Sequence, residues 1–333
     1  MKTEKPQIET DQEPGAPHPR STFHFLGHHD QEHAIADALS GRRMHHAWLL
    51  SGPKGVGKAT LAYRFARVAL GAATSGSRPL DVDPECVVAR RIAALSHPDL
   101  FVLRRGLNDR GKPRREISVD DARELGHFFA LAPSEGGMRV AIIDAVDDLN
   151  RNAANAILKT LEEPPARSVL ILICHAPGAA LATIRSRCRR LALRPLADED
   201  VRQALMGAGD EALIALAKGR PGRAIALAGQ GLDASAIRPE RIQSAVARGE
   251  AGPILNTLYE KLSGEPFERL ATVLELAGEW CRAAGAAQTA DVWAEAWSAL
   301  ETLRQEAEGL DMDPRHALAR AVSVLDRAAA PRR

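Results

Sequence analysis

The segment Gly52-Pro53-Lys54-Gly55-Val56-Gly57-Lys58 lies between an apolar run and an amphipathic one, and that placement leaves the chain few ways to fold. Ala47-Trp48-Leu49-Leu50-Ser51 reads as a short buried strand, and Thr60 to Leu70, with Leu61, Phe65 and Val68 on one face, reads as a helix. The seven residues between them match the first seven positions of the Gly-x-x-x-x-Gly-Lys-Ser/Thr phosphate loop. Glycines let backbone amides turn inward around an anion, the following helix N-terminus adds partial positive charge, and Lys58 can reach outer phosphates. The eighth position, whose hydroxyl would hold magnesium, is Ala59, and Thr60 points about 100° further round the helix. The bland alternative is a glycine-rich turn without a ligand. Between the two lies a loop that binds ATP or ADP weakly.

Two further runs, Arg139 to Asp144 and Ser168 to Cys174, are nearly continuous in apolar residues, as strands of a parallel sheet buried on both faces are. Asn152 to Glu163 between them reads as a crossover helix stopped by Pro164-Pro165. The expected fold is therefore α/β, a parallel sheet with flanking helices. Asp144 ends its strand where an ATPase holds magnesium, but Ala145 follows in place of the Glu that polarises the attacking water. Asp147 and Asp148 are the nearby carboxylates that could substitute, although residues on a following turn aim differently. Beyond Pro195 the sequence becomes Ala- and Leu-rich and helical, with breaks at Gly219-Arg220-Pro221-Gly222 and from Asp233 to Pro239. Leu270, Val273, Leu274, Leu276, Trp280, Val292, Trp293 and Trp297 mark a C-terminal helical bundle. The expected organisation is a disordered tail at 1–19, an α/β domain at 20–194, a small helical lid at 195–234 and an all-α domain at 235–333.

Charge and cysteine content exclude several classes. A net charge of +1 with 4% aromatic residues gives no support to base stacking or to a polyanion-seeking surface as a whole. Cys86, Cys174, Cys188 and Cys281 lie far apart without a CxxC pair, which argues for a reducing cytoplasm and against a zinc ribbon. The first 19 residues, rich in Pro, Glu, Gln and Lys, have no apolar segment, so neither a signal peptide nor a membrane anchor is expected there. His29-Asp30-Gln31-Glu32-His33 has the spacing of an inverted zinc-peptidase helix but no third ligand, and is taken as coincidence. His24, His28, His45 and His46 are expected at the surface or beside nucleotide. Arg104, Arg105, Arg110, Lys112, Arg114 and Arg115 are expected in a solvated basic loop. Trp280, Trp293 and Trp297 are expected to pack helices.

Leu158-Lys159-Thr160-Leu161-Glu162-Glu163-Pro164-Pro165, followed by Thr183-Ile184-Arg185-Ser186-Arg187-Cys188, closely resembles the clamp-loader branch of the AAA+ proteins. Gly27 to His33, His45-His46-Ala47 and Ser96-His97-Pro98-Asp99 fit the same branch, so the resemblance covers about residues 22–230. It implies a RecA-like α/β domain, a helical lid and a C-terminal collar for oligomerisation. Degeneracy at Ala59 and Ala145 is similar to that of the delta-prime family, stators that stand in a ring with delta and with gamma or tau chains. The partners implied are those chains, the sliding clamp and, through the complex, primed DNA. The resemblance makes Arg187 an arginine finger acting in trans on a neighbour's ATP, and Gly52, Gly55, Gly57, Lys58 and Asp144 a degenerate nucleotide site. An active gamma- or tau-like ATPase is the alternative. Many relatives carry four zinc-binding cysteines before the His-Pro-Asp stretch; here only Cys86 stands in that region, so zinc is not expected and Leu80 to Ala94 must hold by packing. Gly222 takes the place of the nucleotide-sensing lid arginine, with Arg220 and Arg223 beside it.

Overall fold

The computed structural model describes residues 9–13, 15–41, 44–109, 111, 113–176, 181–206, 211–229, 244, 248, 250–262, 266–285, 290–309 and 312–330. They form two compact units, one of Met1–Ala204 with Lys218–Arg223, the other of Leu205–Ala217 with Ala224–Arg333. The expected lid does not stand alone: residues 195–204 and 218–223 belong with the α/β unit, and 205–217 and 224–229 with the helical one. The break at 233–239 lies outside the described residues.

In the α/β unit, β1 (Ala47–Ser51), β2 (Leu100–Arg104), β3 (Arg139–Asp144), β4 (Ser168–Cys174) and β5 (Arg189–Ala192) form one parallel sheet in the order β2-β3-β4-β1-β5. Successive side chains on a strand face opposite ways, so each inner strand feeds two cores. Trp48, Leu50, Ile142 and Ile171 pack with α1 (His29–Ser40) and α2 (Lys58–Ala69) through Ile35, Leu61 and Phe65. Leu49, Ile143 and Leu172 pack on the other face with α4 (Val119–Ala130) and α5 (Arg151–Glu162) through Leu125, Phe129, Ile157 and Leu161. That double burial is why β1, β3 and β4 read as unbroken apolar runs; each Leu or Ile so buried contributes about 1.5–3 kcal/mol. Local signals fix the helix starts. Ser118 and Asp121 cap α4 reciprocally, and the Asn150 side chain accepts from the Ala153 N–H at the start of α5.

The stretch around α3 (Val87–Ala93) is held by the burial of Leu80, Ala89 and Ile92, and by charges that local sequence patterns do not display. Glu32 is fully buried and takes Arg64 at 2.8 Å and Arg78 at 2.5 Å; Arg64 also pairs with Asp81 at 2.7 Å. Both guanidiniums lie over the Phe25 ring. Glu32 therefore serves as the anchor of an ion network, whereas His29 and His33 stay exposed.

The N-terminal stretch differs from expectation. Residues 9–13 and 15–21 lie on the α/β unit: Arg20 bonds the Ala93 carbonyl at 2.9 Å and Glu9 at 2.7 Å, and the Thr10 hydroxyl donates to the Arg105 carbonyl at 2.6 Å. The basic stretch is likewise not simply solvated. Arg104 pairs with Glu9 and Asp11, Arg105 with Asp148 at 3.3 Å, and Arg114 with Asp121 at 2.8 Å; Arg110 and Lys112 lie outside the described residues.

α7 (Asp198–Ala204) lies within the α/β unit, and the second unit holds α8 (Glu211–Ala217), α9 (Pro221–Gly229) from Ala224 onward, α10 (Ala251–Lys261), α11 (Pro266–Gly285), α12 (Ala290–Gly309) and α13 (Pro314–Ala329). Leu255, Leu270, Val273, Trp280, Leu300, Leu318 and Leu325 form its core, with Trp293 packed at the margin. Trp297 remains 38% exposed, so only part of the tryptophan set is core. Among the described residues no helix is long and apolar enough to cross a membrane.

Candidate functional site

The phosphate loop sits at the carboxyl end of β1, where parallel α/β sheets place their ligand crevice. Its glycines are enforced by the protein itself. Gly55 has φ +83°, and a Cβ there would come within 3.0 Å of the Arg223 amide nitrogen; Gly57 has φ +107°, and a Cβ would stand 3.0 Å from the Phe25 ring. The Gly222 N–H donates to the Gly55 carbonyl at 2.8 Å, so the turn at Gly222 is laid directly on the loop. Lys58 is 3% exposed and donates to the carbonyls of Gly52 at 2.6 Å and Pro53 at 2.8 Å. Burial brings its pKa down to about 8. His28, expected at the surface or beside nucleotide, has Nε2 3.2 Å from the Val56 carbonyl on the loop.

Asp144 ends β3 opposite Arg104 of β2, with its carboxyl nearly out of solvent. Burial, then the negative charge of Asp11, pushes its pKa up to about 7, against the attraction of Lys58. Ala145 is buried in the apolar core. The two carboxylates that follow are both engaged. Asp147 accepts from the backbone amides of His175 at 2.5 Å and Ala176 at 3.1 Å, tying the end of β4 to the turn after β3. Asp148 holds Arg105, and burial raises its pKa. His175 is a site residue that sequence reasoning missed. Its Nε2 lies 3.9 Å from Asp144, while burial, followed by Lys58 and Lys54, drops its pKa to about 3, so the imidazole is neutral. Its only sequence signal is its position immediately after the end of β4.

Set against a magnesium-nucleotide group, these residues fit poorly. No hydroxyl stands at position 59, Asp144 sheds its proton only near neutrality, and Lys58 is bound to its own loop. Metal ligation needs a deprotonated carboxylate.

The Ser-Arg-Cys loop lies at another edge of the unit, between α6 (Ala182–Arg185) and β5. Arg187 donates from Nη1 to the Thr183 carbonyl at 3.0 Å and pairs through Nη2 with Glu162 at 2.7 Å. Glu162 belongs to the Leu-Glu-Glu-Pro-Pro segment, so the two diagnostic motifs meet in one surface pair. Cys188 behind it is partly buried, its thiol pKa pushed up to about 12 by desolvation. The four cysteines are free thiols, and Cys86 caps α3, its sulfur accepting from the Ala89 N–H at 3.4 Å. In the His-Pro-Asp stretch, Asp99 is structural: it accepts from the Ser134 and Glu135 amides and pairs with Arg139 at 3.4 Å.

A parallel sheet in this order, with a glycine- and lysine-bearing loop after the strand beside its far edge, is an α/β arrangement of the AAA+ type. A solved gamma-subunit-related protein of DNA polymerase III from Thermotoga maritima shares that fold, with a TM-score of 0.53 at 15% identity, over 90% of this chain and all of that one. The family model for DNA polymerase III, delta subunit, matches residues 27–197. The DNA polymerase III subunit delta-prime of Escherichia coli is 32% identical over 79% of this chain and 78% of its own length, and that of Pseudomonas aeruginosa is 37% identical over 64% of this chain. The latter match spans 63% of the Pseudomonas protein. The tau subunit of Salmonella typhimurium is 35% identical over 53% of this chain and 26% of its own. The chain belongs to the delta-prime family of DNA polymerase III, in the clamp-loader branch of the AAA+ proteins.

Proposed function

We propose that this chain is a delta-prime stator: a cytoplasmic, non-hydrolysing member of a hetero-oligomeric clamp-loader ring with delta and gamma or tau chains, serving ATP-dependent placement of a sliding clamp on primed DNA. Its chemical contribution is Arg187, presented in trans to ATP held by a neighbouring gamma or tau subunit. A guanidinium delocalises charge and donates to two oxygens at once, which suits the charge growing on a transferring phosphoryl group; arginine fingers of this kind are worth about 10³–10⁵ in rate in GTPases. Glu162 and the Thr183 carbonyl hold the side chain at the surface.

The observation that carries the reading is the fate of the carboxylates around Asp144. With Ala145 in the core, Asp147 spent on two backbone amides and Asp148 on Arg105, none is left to position a water. That also weighs against an active gamma- or tau-like motor using Asp147 as its base. ATP turnover by the isolated chain tests this directly. It is expected to equal that of Lys58→Ala at background; turnover that Lys58→Ala abolishes would restore the motor reading.

A further inference from the structure

The described acidic residues of the N-terminal segment are engaged with cations. Glu9, Asp11 and Glu13 place three carboxylates within five residues, and they meet cations on the phosphate loop itself and at the carboxyl end of the edge strand β2, across β3 and β4 from β1. Glu13 pairs with Lys54, inside the loop, at 3.2 Å. Asp11, 1% exposed, and Glu9 both pair with Arg104, whose register partner on β3 is Asp144. The run is fixed on both sides. The Thr10 hydroxyl reaches the Arg105 carbonyl, and Arg20, which binds Glu9 at 2.7 Å, is anchored to the Ala93 carbonyl and receives Arg67 on its own carbonyl at 2.6 Å. His18 adds a contact of 3.2 Å to Asp11. The Glu9, Asp11 and His18 trio has the donor types of a metal site, but the Arg104 guanidinium already sits against both carboxylates, so the cluster is an ion-pair lock.

We propose that residues 9–13 form an anionic strap that competes with the phosphates of a nucleoside triphosphate for the mouth of the loop, holding this subunit out of the nucleotide cycle. The strap uses the same physics as the ligand it opposes: carboxylate oxygens on Lys54 and Arg104 neutralise the field that would attract a polyphosphate. The proposal rests on the phosphate-loop reading and adds a second, reversible barrier to the permanent one at Ala59 and Ala145. Its chemistry is independent of Arg187, so either reading can fail alone.

The test is equilibrium titration of the full chain with a fluorescent ATP analogue at low salt, with and without magnesium, comparing wild type, Glu13→Gln and a form lacking residues 1–13. Glu13→Gln removes a partly exposed pair and leaves the lock on Arg104 in place; it is expected to tighten binding about two- to fivefold, the span of an exposed ion pair. The deletion is expected to tighten it further, and added salt is expected to shrink the differences. Unchanged far-UV circular dichroism guards the fold of Glu13→Gln, and wild-type amides of residues 9–13 are expected to exchange faster at saturating analogue. The strap is refuted if both variants bind as wild type does, or if the deletion form binds no analogue at all, which would locate the whole barrier in the loop. If strap variants bind and the isolated chain then hydrolyses ATP, the strap stands and the stator reading falls.

Discussion

Asp144→Asn replaces a buried carboxyl by its neutral isostere and should stabilise the α/β unit in a pH-dependent way. The native pKa of about 7 lies above the ordinary 3.8. A carboxyl raised in the folded state binds its proton more tightly there, so the stability it confers is complete below about pH 4 and is lost as pH rises through 7. Three units at about 1.4 kcal/mol each set a ceiling of about 4 kcal/mol at pH 8. With a urea slope of about 2.5 kcal/mol/M for a unit of this size, the variant's midpoint would move up by about 1.5 M. Three of the four tryptophans report on the helical unit, so unfolding is best followed by hydrogen exchange of β3 and β4 peptides across a urea series, at pH 4 and pH 8. The expected pattern is near-equality at pH 4 and a stabilised variant at pH 8. A variant no more stable than wild type at pH 8 would refute the burial argument and, with it, the reason given for weak magnesium ligation.

Two other substitutions probe the scaffold. Glu32→Ala removes the buried carboxylate that Arg64 and Arg78 share, leaving Arg64 only the Asp81 carboxylate, and removing one partner of a buried pair is expected to cost about 3–5 kcal/mol in thermal or urea unfolding of the α/β unit; a loss under about 1 kcal/mol would mean that packing and the Asp81 pair hold this region. Gly55→Ala combines a strained φ with a 3.0 Å approach to Arg223 and is expected to cost about 1–3 kcal/mol, more than Gly71→Ala, where φ is also positive but no atom lies within 4 Å; equal losses would show that the Gly222 turn does not constrain the loop.

The inner strands and the loop between β1 and α2 were legible because their signals are local. A buried parallel strand is apolar at every position, and a glycine–lysine loop is contiguous. The edge strands were not read. β5 has exposed Arg189 and Arg190, with Arg189 stacked on Trp48, and looks like a charged linker; β2 ends in Arg104, which the sequence pattern assigns to a loop. Long-range electrostatics explain the remaining differences. Glu32 finds Arg64 and Arg78, Asp147 finds the amides after β4, and Glu9 finds Arg104, each across 28 to 95 residues of sequence. A Pro- and Glu-rich tail has the composition of disorder, and only the fold reveals that Glu9, Asp11 and Glu13 have partners. The family resemblance had drawn attention to Arg187, but its clasp by Glu162 required the helix and loop to be placed together.

Whether this chain serves a neighbour's ATP is tested most directly by clamp- and DNA-stimulated turnover of an assembly reconstituted from delta, gamma or tau and this chain carrying Arg187→Ala, with assembly verified by gel filtration. Turnover is expected to fall while the complex stays intact, and Arg187→Lys, which keeps the charge but not the planar fork, is expected to recover only part of it. Wild-type turnover from an intact Arg187→Ala complex would contradict the trans-acting arginine.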